Sequence, residues 1–436
     1  MKSARPKVLH RVAGRPMIAH VLDLLGGLKP DRTVVVIGPD MTEVEATVAP
    51  RRCVVQENQK GTGEAVQVTR EALADFAVEG SDVLVAFGDT PLFRPETLAA
   101  MVAARDAAPR PDLVILGFRP VDPSGYGRIL QDEAGAPRAI VEHKDAGPEE
   151  RAIGLCNAGL MLVDGGRLFD WLGRIGSNNA QGEYYLTDLA GLAVRDEAGT
   201  ALVEAPEEEV MGVDSRADLA VAEAVIQQRL RAQAMADGVT LVDPTTVWLS
   251  ADTRLGRDVT IHPSVVIGPG VSIGDDVEIR GFCHLEGVTI ESGAIVGPYA
   301  RLRPGAVIGP DVHIGNFVEV KNATLERGAK ANHLAYIGDA TVGAATNVGA
   351  GTIFCNYDGY AKHHCEIGPG VFIGSNAALV APVTIGEGAL IAAGSTVTDD
   401  VPADALAVAR GKQANISDGA GRYRATRQPA KQRKEG

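Results

Sequence analysis

From Leu249 onward the chain repeats one apolar position in every six. Leu249, Leu255, Ile261, Ile267, Ile273, Ile279 and Leu285 are all Leu or Ile. The count slips by one residue and resumes at Ile290, Val296, Leu302, Ile308, Ile314 and Val320. Further slips lead to Leu325, Ala331 and Ile337, then to Val342, Val348 and Phe354. After a longer gap the run closes with Ile367, Ile373, Leu379, Ile385, Ile391 and Val397. A period of six predicts a hexapeptide-repeat solenoid, in which each hexad is a short strand plus a turn and three hexads close one coil of a triangular parallel β-helix. The aliphatic residue points into a narrow core, and Gly, Asn or Asp takes the corner, where φ is often positive. Such a prism has little room for rings, in keeping with an aromatic content of 4%.

The first half has a different grammar. Thr33–Ile37, Cys53–Val55, Val83–Phe87 and Leu113–Leu116 are short β-rich runs that predict buried parallel strands. Glu64 to Leu73 and Pro95 to Ala104 lie between them with helical spacing. That alternation predicts an α/β sheet whose ligands sit beyond the carboxyl ends of its strands. An Ala-rich stretch from Asp214 to Gly238 predicts a linker helix, with Ser215 at its start, Leu219, Ala222, Ile226 and Leu230 as its stripe, and Gly238 as its stop. The expected organisation is an α/β domain over residues 1–213, a linker helix over 214–238, a solenoid over 239–410 and a polar basic tail over 411–436. The tail, rich in Arg and Lys from Arg422 on, is expected to be disordered.

Composition narrows the function classes. A net charge of −14 argues against nucleic acid as the main partner. Cys53, Cys156, Cys283, Cys355 and Cys365 form no CxxC pair and are odd in number, which predicts free thiols in a reducing cytoplasm. No apolar run approaches membrane-spanning length, so neither export nor membrane insertion is expected. In the loop after Phe354, Cys355, His363, His364 and Cys365 fit no common zinc spacing.

Several segments carry more polar chemistry than turns need. Gln56–Gly63 ends a strand in a glycine turn that opens a helix, where backbone N–H groups could meet an anion or a base edge. Gly125–Ile129, Val141–Lys144, Asn157–Gly159 and Asn178–Asp188 supply flexible backbone and mixed hydrogen-bonding groups. Asp89 follows a strand as a turn-former would, but with Asp214 it could share a Mg²⁺, which takes one or two carboxylates plus substrate phosphates and water.

In order along the chain stand PKVL, Q-x₄-GTG, GDTPL, GYGRI, VEHKDA, NNAQGEYYLTD and GVDSR, then the hexapeptide repeat with H-L-x-Y-I-G-D and C-N-Y-D-G. Together they resemble the bacterial bifunctional UDP-N-acetylglucosamine pyrophosphorylase/glucosamine-1-phosphate N-acetyltransferase family over nearly the whole length. The resemblance implies a Rossmann-like nucleotidyltransferase domain followed by a left-handed parallel β-helix. It implies two reactions serving cell-wall synthesis: acetylation of glucosamine-1-phosphate by acetyl-CoA as co-substrate, then attack of N-acetylglucosamine-1-phosphate on the α-phosphorus of UTP. For the acetyl half it implies His333 as the base, Arg303 and Lys321 on the sugar phosphate, Glu319, Tyr336, Asn347, Asn356 and Tyr357 on the sugar side, and Ser375, Ala393 and Arg410 on acetyl-CoA. Lys362, in the one long interruption of the repeat, looks like part of an arm reaching a neighbouring subunit of a homotrimer. For the uridylyl half it implies Lys7 as the catalytic lysine, Asp89 and Asp214 as Mg²⁺ ligands, Gln56, Gly61 and Thr62 on uracil, and Gly127, Glu142, Asn157 and Thr187 on the sugar. Asp214 stands where the family usually has Asn.

The family opens with a strand and a glycine-rich loop, L-A-A-G-x-G-T-R-M, and Met1 stands where that loop's final Met belongs. The expectation is a sheet with exposed edges and a hole where phosphates bind. Either the start lies further upstream or the uridylyl half is disabled, leaving an acetyltransferase alone. A non-enzymatic solenoid scaffold would instead show a flat, repeated ladder such as regular Thr rows, and the sequence has none.

Overall fold

The computed structural model describes residues 1–432 and separates into two compact units, residues 1–233 with 249–251, and residues 234–248 with those from 252 on. In the first unit, β1 (Val34–Ile37) and β2 (Arg52–Val55) form a small parallel sheet. A larger sheet holds β3 (Asp82–Val85), β4 (Leu113–Phe118), β5 (Arg128–Gln131), β6 (Pro137–Val141), β7 (Cys156–Asp164) and β8 (Thr200–Glu204). All four apolar runs are strands, but the expectation of a parallel sheet is corrected. Only β1–β2 and β4–β8 are parallel, whereas β3 and β4 both pair antiparallel with β7. β7 is buried along almost its whole length, so it shows no alternation that would mark it as a strand.

Helices cover both faces. Leu113, Ile115 and Val163 pack with Trp171 and Leu189 on one side, and Val114, Leu116 and Leu162 with Leu98 and Met101 on the other. Each such side chain contributes about 1.5–3 kcal/mol on full burial. The helix expected from Glu64 stops early, at Thr62–Gln67, where the Thr69 hydroxyl takes the Val66 carbonyl that another turn would use. Helix Arg216–Ala236 is closed at its start by Ser215 and Asp218, each accepting the other's backbone N–H. It is more than a linker: Leu219, Ala222, Ile226 and Leu230 pack with Val12, Met17 and Leu92. β1 and β3 do not pair with each other. A cavity of about 940 Å³ lies between them, walled by Val35, Ile37, Val83 and Val85, with Lys7, Gln56 and Thr62 also on its lining.

The second unit is a parallel β-helix of two- to seven-residue strands, and every ladder in it is parallel. Of the repeating apolar positions only Leu255 is not fully buried. Successive coils lie 18 residues apart where three full hexads fit, as from Asp252 to Gly270, and 17 apart where the count slips, as from Asn316 to His333. The slips are therefore coils one residue shorter, with the core position kept in register.

A left-handed residue recurs at each corner: Asp258, Ser264, Gly270 and Asp276 all have φ between 57° and 73°. The expectation of small or polar corners fails at one edge. Phe282, Tyr299, Phe317 and Leu334 hold φ of 51–62° on successive coils. The three rings and the Leu334 side chain stand outside the prism, with Phe282 on Tyr299 at 4.8 Å and Tyr299 on Phe317 at 5.2 Å between centroids. A ring excluded from the core has thus been placed where stacking offsets part of the corner strain.

The expected disorder of the tail is also corrected. Residues Gly419–Gln432 form a helix, opening with the Arg422 N–H on the Asp418 carbonyl. Ala, Arg and Gln are good helix formers, and charge alone does not prevent a helix. Residues 433–436, the end of that expected tail, lie outside the described residues.

Candidate active sites

In the first unit the chain start, the end of β3 and the turn before helix Arg216–Ala236 meet at Lys7. Its Nζ lies 2.5 Å from Asp89 Oδ2 and 2.6 Å from Asp214 Oδ1. Burial works against the ammonium, but the bonds to Asp214 and Asp89 outweigh it and raise its pKa above the usual 10.5. The Val213 N–H donates to the Asp89 carbonyl, which fixes the two acidic segments side by side. Two carboxylates thus converge on one cation, and their remaining sides are open. That donor set fits a small divalent cation that draws its other ligands from phosphate and water. Lys7 offsets only one of the two carboxylate charges, so Asp214 leaves the pair with one net negative charge.

The uracil candidates sit on the turn after β2. Gly61 has φ 97°, and a Cβ there would come within 2.6 Å of the Tyr184 carbonyl, so only glycine fits. The segment 184–187 runs alongside this turn. Tyr184 N donates to Lys60 O at 2.8 Å, Gly63 N to Tyr184 O at 2.7 Å, and Leu186 N to Thr62 Oγ at 3.1 Å.

The next residue links this turn to the sugar candidates: Thr187 Oγ donates to Glu142 Oε1 at 3.0 Å. A Cβ on Gly127 would lie 3.3 Å from the same carboxylate, and Asn157 N donates to Gly127 O at 2.9 Å. Gly127, Glu142, Asn157 and Thr187 are therefore one cluster. Burial raises the Glu142 carboxyl above its usual value, with Asp145 and Asp188 adding to it and the Thr187 bond opposing it.

In the second unit the candidates lie on neighbouring coils. Arg303 Nη1 donates to Glu319 Oε1 at 2.7 Å, and Glu319 pairs in register with Tyr336. Lys321 is half-buried; the Lys362 ammonium beside it foremost, with Arg303 adding, pushes its pKa below the usual value. The loop carrying Lys362 doubles back, with Tyr357 and Lys362 in an antiparallel bridge, so within one chain this residue faces its own coil. Asn347 lies on the adjoining face, between Lys330 and Phe372 in the ladder. His363 and His364 turn to Asp358 and to Glu366 rather than to the cysteines.

Two residues that carry no role in the sequence analysis organise this region. Asn316, one coil before His333, places its Oδ1 at 2.8 Å from His333 Nδ1. With the Asn316 amide oxygen as acceptor, the proton sits on Nδ1 and Nε2 keeps its lone pair, as a base requires. Buried Asp339 accepts from Asn322 at 2.6 Å and from Asn356, whose amide also reaches the Tyr336 hydroxyl at 3.4 Å. Burial works to raise the Asp339 carboxyl; the Asn322 and Asn356 bonds, with Lys362 and Lys321 nearby, outweigh it and hold it below its usual value. Asn316 lies outside the quoted motifs and Asp339 closes the H-L-x-Y-I-G-D segment, but it is the coil register that reveals what each one touches.

The acetyl-CoA candidates form a column at the far end of the repeat. Gly394 N, after Ala393, donates to Ser375 O at 2.8 Å, and Arg410 Nη1 donates to Ala393 O at 2.8 Å.

Residues 1–137 match the MobA-like NTP transferase domain, and residues 252–287, 287–322 and 364–399 match the bacterial transferase hexapeptide (six repeats). The chain is 55% identical to the bifunctional protein GlmU of Paramagnetospirillum magneticum, covering 100% of this chain and 96% of that protein. It is 59% identical to the bifunctional protein GlmU of Rhodospirillum rubrum, over 98% and 94% of the two chains. To that of Zymomonas mobilis it is 48% identical, over 97% and 94%. An acetyltransferase alone is not favoured by relatives named for two functions along almost their whole length.

Proposed function

The chain belongs to the bifunctional GlmU family, and from that footing we propose that it makes UDP-N-acetylglucosamine in two steps at two separate sites. In the solenoid, glucosamine-1-phosphate is held by Arg303 and Lys321, with Lys362 beside them. Its amine nitrogen attacks the thioester carbon of acetyl-CoA. As the C–N bond forms, His333 Nε2 takes the amine proton, and the C–S bond breaks to release CoA. Asn316 keeps the imidazole in the tautomer this needs. Asp339 sets Asn356 and Tyr336 on the sugar side, and the column of Ser375, Ala393 and Arg410 receives acetyl-CoA.

In the α/β unit, a phosphate oxygen of N-acetylglucosamine-1-phosphate attacks the α-phosphorus of UTP and pyrophosphate leaves. The nucleophile is already an anion, so positioning and charge neutralisation suffice. Asp89 and Asp214 would hold Mg²⁺, which supplies Lewis-acid stabilisation of phosphate charge. Lys7 brings its ammonium to the same point. Gln56, Gly61 and Thr62 take the base, and the Glu142 cluster takes the sugar.

Further support concerns assembly and place. The exposed ladder of Phe282, Tyr299, Phe317 and Leu334 is an apolar edge that suits packing between copies, in keeping with a homotrimer. All five cysteines are unpaired, as a reducing cytoplasm requires. Among the described residues no helix is long and apolar enough to cross a membrane.

The observation that carries the function is the Asn316–His333 pair on a hexapeptide solenoid. Two assays on the purified chain test it: CoA release from acetyl-CoA with glucosamine-1-phosphate, and pyrophosphate release from UTP with N-acetylglucosamine-1-phosphate. Failure of either assay removes that half, and light scattering that finds an active monomer removes the trimer.

A further inference from the structure

The turn after β2 is organised by a carboxylate that no motif singles out. Glu64, in the first turn of helix Thr62–Gln67, accepts from Lys60 N at 2.6 Å, Gln56 Nε2 at 2.9 Å and Asn58 Nδ2 at 3.1 Å. The Lys60 bond foremost, with those of Gln56 and Asn58, holds its carboxyl below the usual value against the effect of burial. Gln56 Nε2 also donates to the Gly61 carbonyl at 2.9 Å. Both partners of that nitrogen are acceptors only, so the polarity of the Gln56 amide is forced. Its nitrogen must face Glu64 and Gly61, and its oxygen must face away. Among the described residues nothing donates to that oxygen, and Gln56 lines the cavity that also holds Lys7 and Thr62.

We propose that Glu64 is a positioning residue for base selection: by locking the Gln56 amide oxygen outward, it makes the site choose uracil over cytosine. The inference rests on the reading of Gln56 as a contact to the base. Uracil carries a hydrogen on N3 and can donate it to Gln56 Oε1. Cytosine in the same pose sets a bare N3, itself an acceptor, against that oxygen, and two buried acceptors face to face leave both unpaired. A freely rotating glutamine would offer either its oxygen or its NH₂ group and so serve both bases. A carboxylate at position 64 opposes the flip because it cannot donate; a glutamine there could donate, which leaves the Gly61 carbonyl as the one acceptor still holding the Gln56 nitrogen and lets the flipped amide be populated.

The experiment compares kcat/KM for UTP and CTP, each with N-acetylglucosamine-1-phosphate and Mg²⁺, in wild type, Glu64→Gln, Gln56→Ala and the double variant. Acetyl transfer and thermal melting serve as controls for folding. Glu64→Gln should lower the UTP/CTP preference at least about tenfold, the scale of one lost hydrogen-bond match, while kcat with saturating UTP is kept. In the Gln56→Ala background the same change should have no further effect on the ratio, because Glu64 acts through Gln56. An unchanged ratio in Glu64→Gln, with Gln56→Ala still damaging UTP use, overturns the proposal and leaves the base-contact reading standing. An equal shift in both backgrounds also overturns it, since Glu64 would then act through the loop alone. If Gln56→Ala leaves both KM for UTP and the ratio untouched, the base-contact reading falls and takes the proposal with it.

Discussion

The two units assemble their candidate sites by opposite routes. In the solenoid most functional pairs are neighbours one coil away: Asn316 and His333 are 17 residues apart, Arg303 and Glu319 are 16. In the α/β unit the partners come from far along the chain, with 207 residues between Lys7 and Asp214, 124 between Thr62 and Leu186, and 45 between Glu142 and Thr187. A repeat fixes a site by local register, so a substitution there is felt by adjacent coils and little else. A site closed by long-range contacts depends on the whole unit reaching its fold, because the loop entropy must be offset before any contact forms. The same contrast governs how each should fail.

The sharpest separation concerns chemistry. His333→Ala should lower acetyl-transfer turnover by roughly 10²–10⁴, the scale of a general base, and leave uridylyl transfer intact. Asp89→Asn should do the reverse, lowering uridylyl transfer by about 10²–10³ as preorganised charge is lost, with acetylation unchanged. Separate assays of the two half-reactions on each variant check this. A variant that damages both halves equally would mean that the sites are not independent.

A smaller effect tests whether register alone builds the acetyl site. Asn316→Ala removes one hydrogen bond from His333 Nδ1, worth about 1 kcal/mol net, so turnover should fall about fivefold. KM should move little, because the side-chain bond of Asn316 is to His333. A change confined to KM would place Asn316 in binding instead.

How far each unit could be read from the chain follows from the same difference. The six-residue period reports the solenoid core directly, because the same side chain fills the same place on every coil. Even the slips could be located, since a short coil keeps its aliphatic residue in register. What escaped was set by geometry outside the period. The corners at Phe282, Tyr299, Phe317 and Leu334 break the preference for small residues, and Asp339 and Asn316 matter only through what the next coil sets beside them. In the α/β unit the strands were legible as apolar runs, but not their direction. β7 hides as a buried stretch without alternation, and the antiparallel pairing it imposes on β3 and β4 has no local signal. Glu64 lies beside the GTG turn in full view, yet its three donors come from a loop whose path no spacing encodes.

The finest distinction between the units lies in two partly or fully buried carboxylates with opposite shifts. Asp339 has amide donors and nearby ammonium groups, so its carboxyl is held below the usual 3.8. Glu142 is dominated by burial, with the single Thr187 donor opposing it, and rises above the usual 4.5. A depressed carboxyl contributes stability that is present above its unfolded value and is lost as pH falls through the folded one. Asp339 therefore stabilises at neutral pH, and its contribution fades only in acid below about 4. A raised carboxyl contributes stability that is complete below its unfolded value and is lost as pH rises through the folded one, so ionised Glu142 is a burden at neutral pH. Denaturant melts across pH should then give difference curves of opposite form. Asp339→Asn should be less stable than wild type by a constant amount near pH 7, with the gap closing in acid. Glu142→Gln should gain on wild type as pH rises above about 4.5, even as uridylyl transfer suffers. If Glu142→Gln were instead destabilising by the same amount at every pH, the burial of Glu142 would carry no electrostatic cost. The contrast between a carboxylate satisfied by its neighbours and one kept under tension for its ligand would then fail.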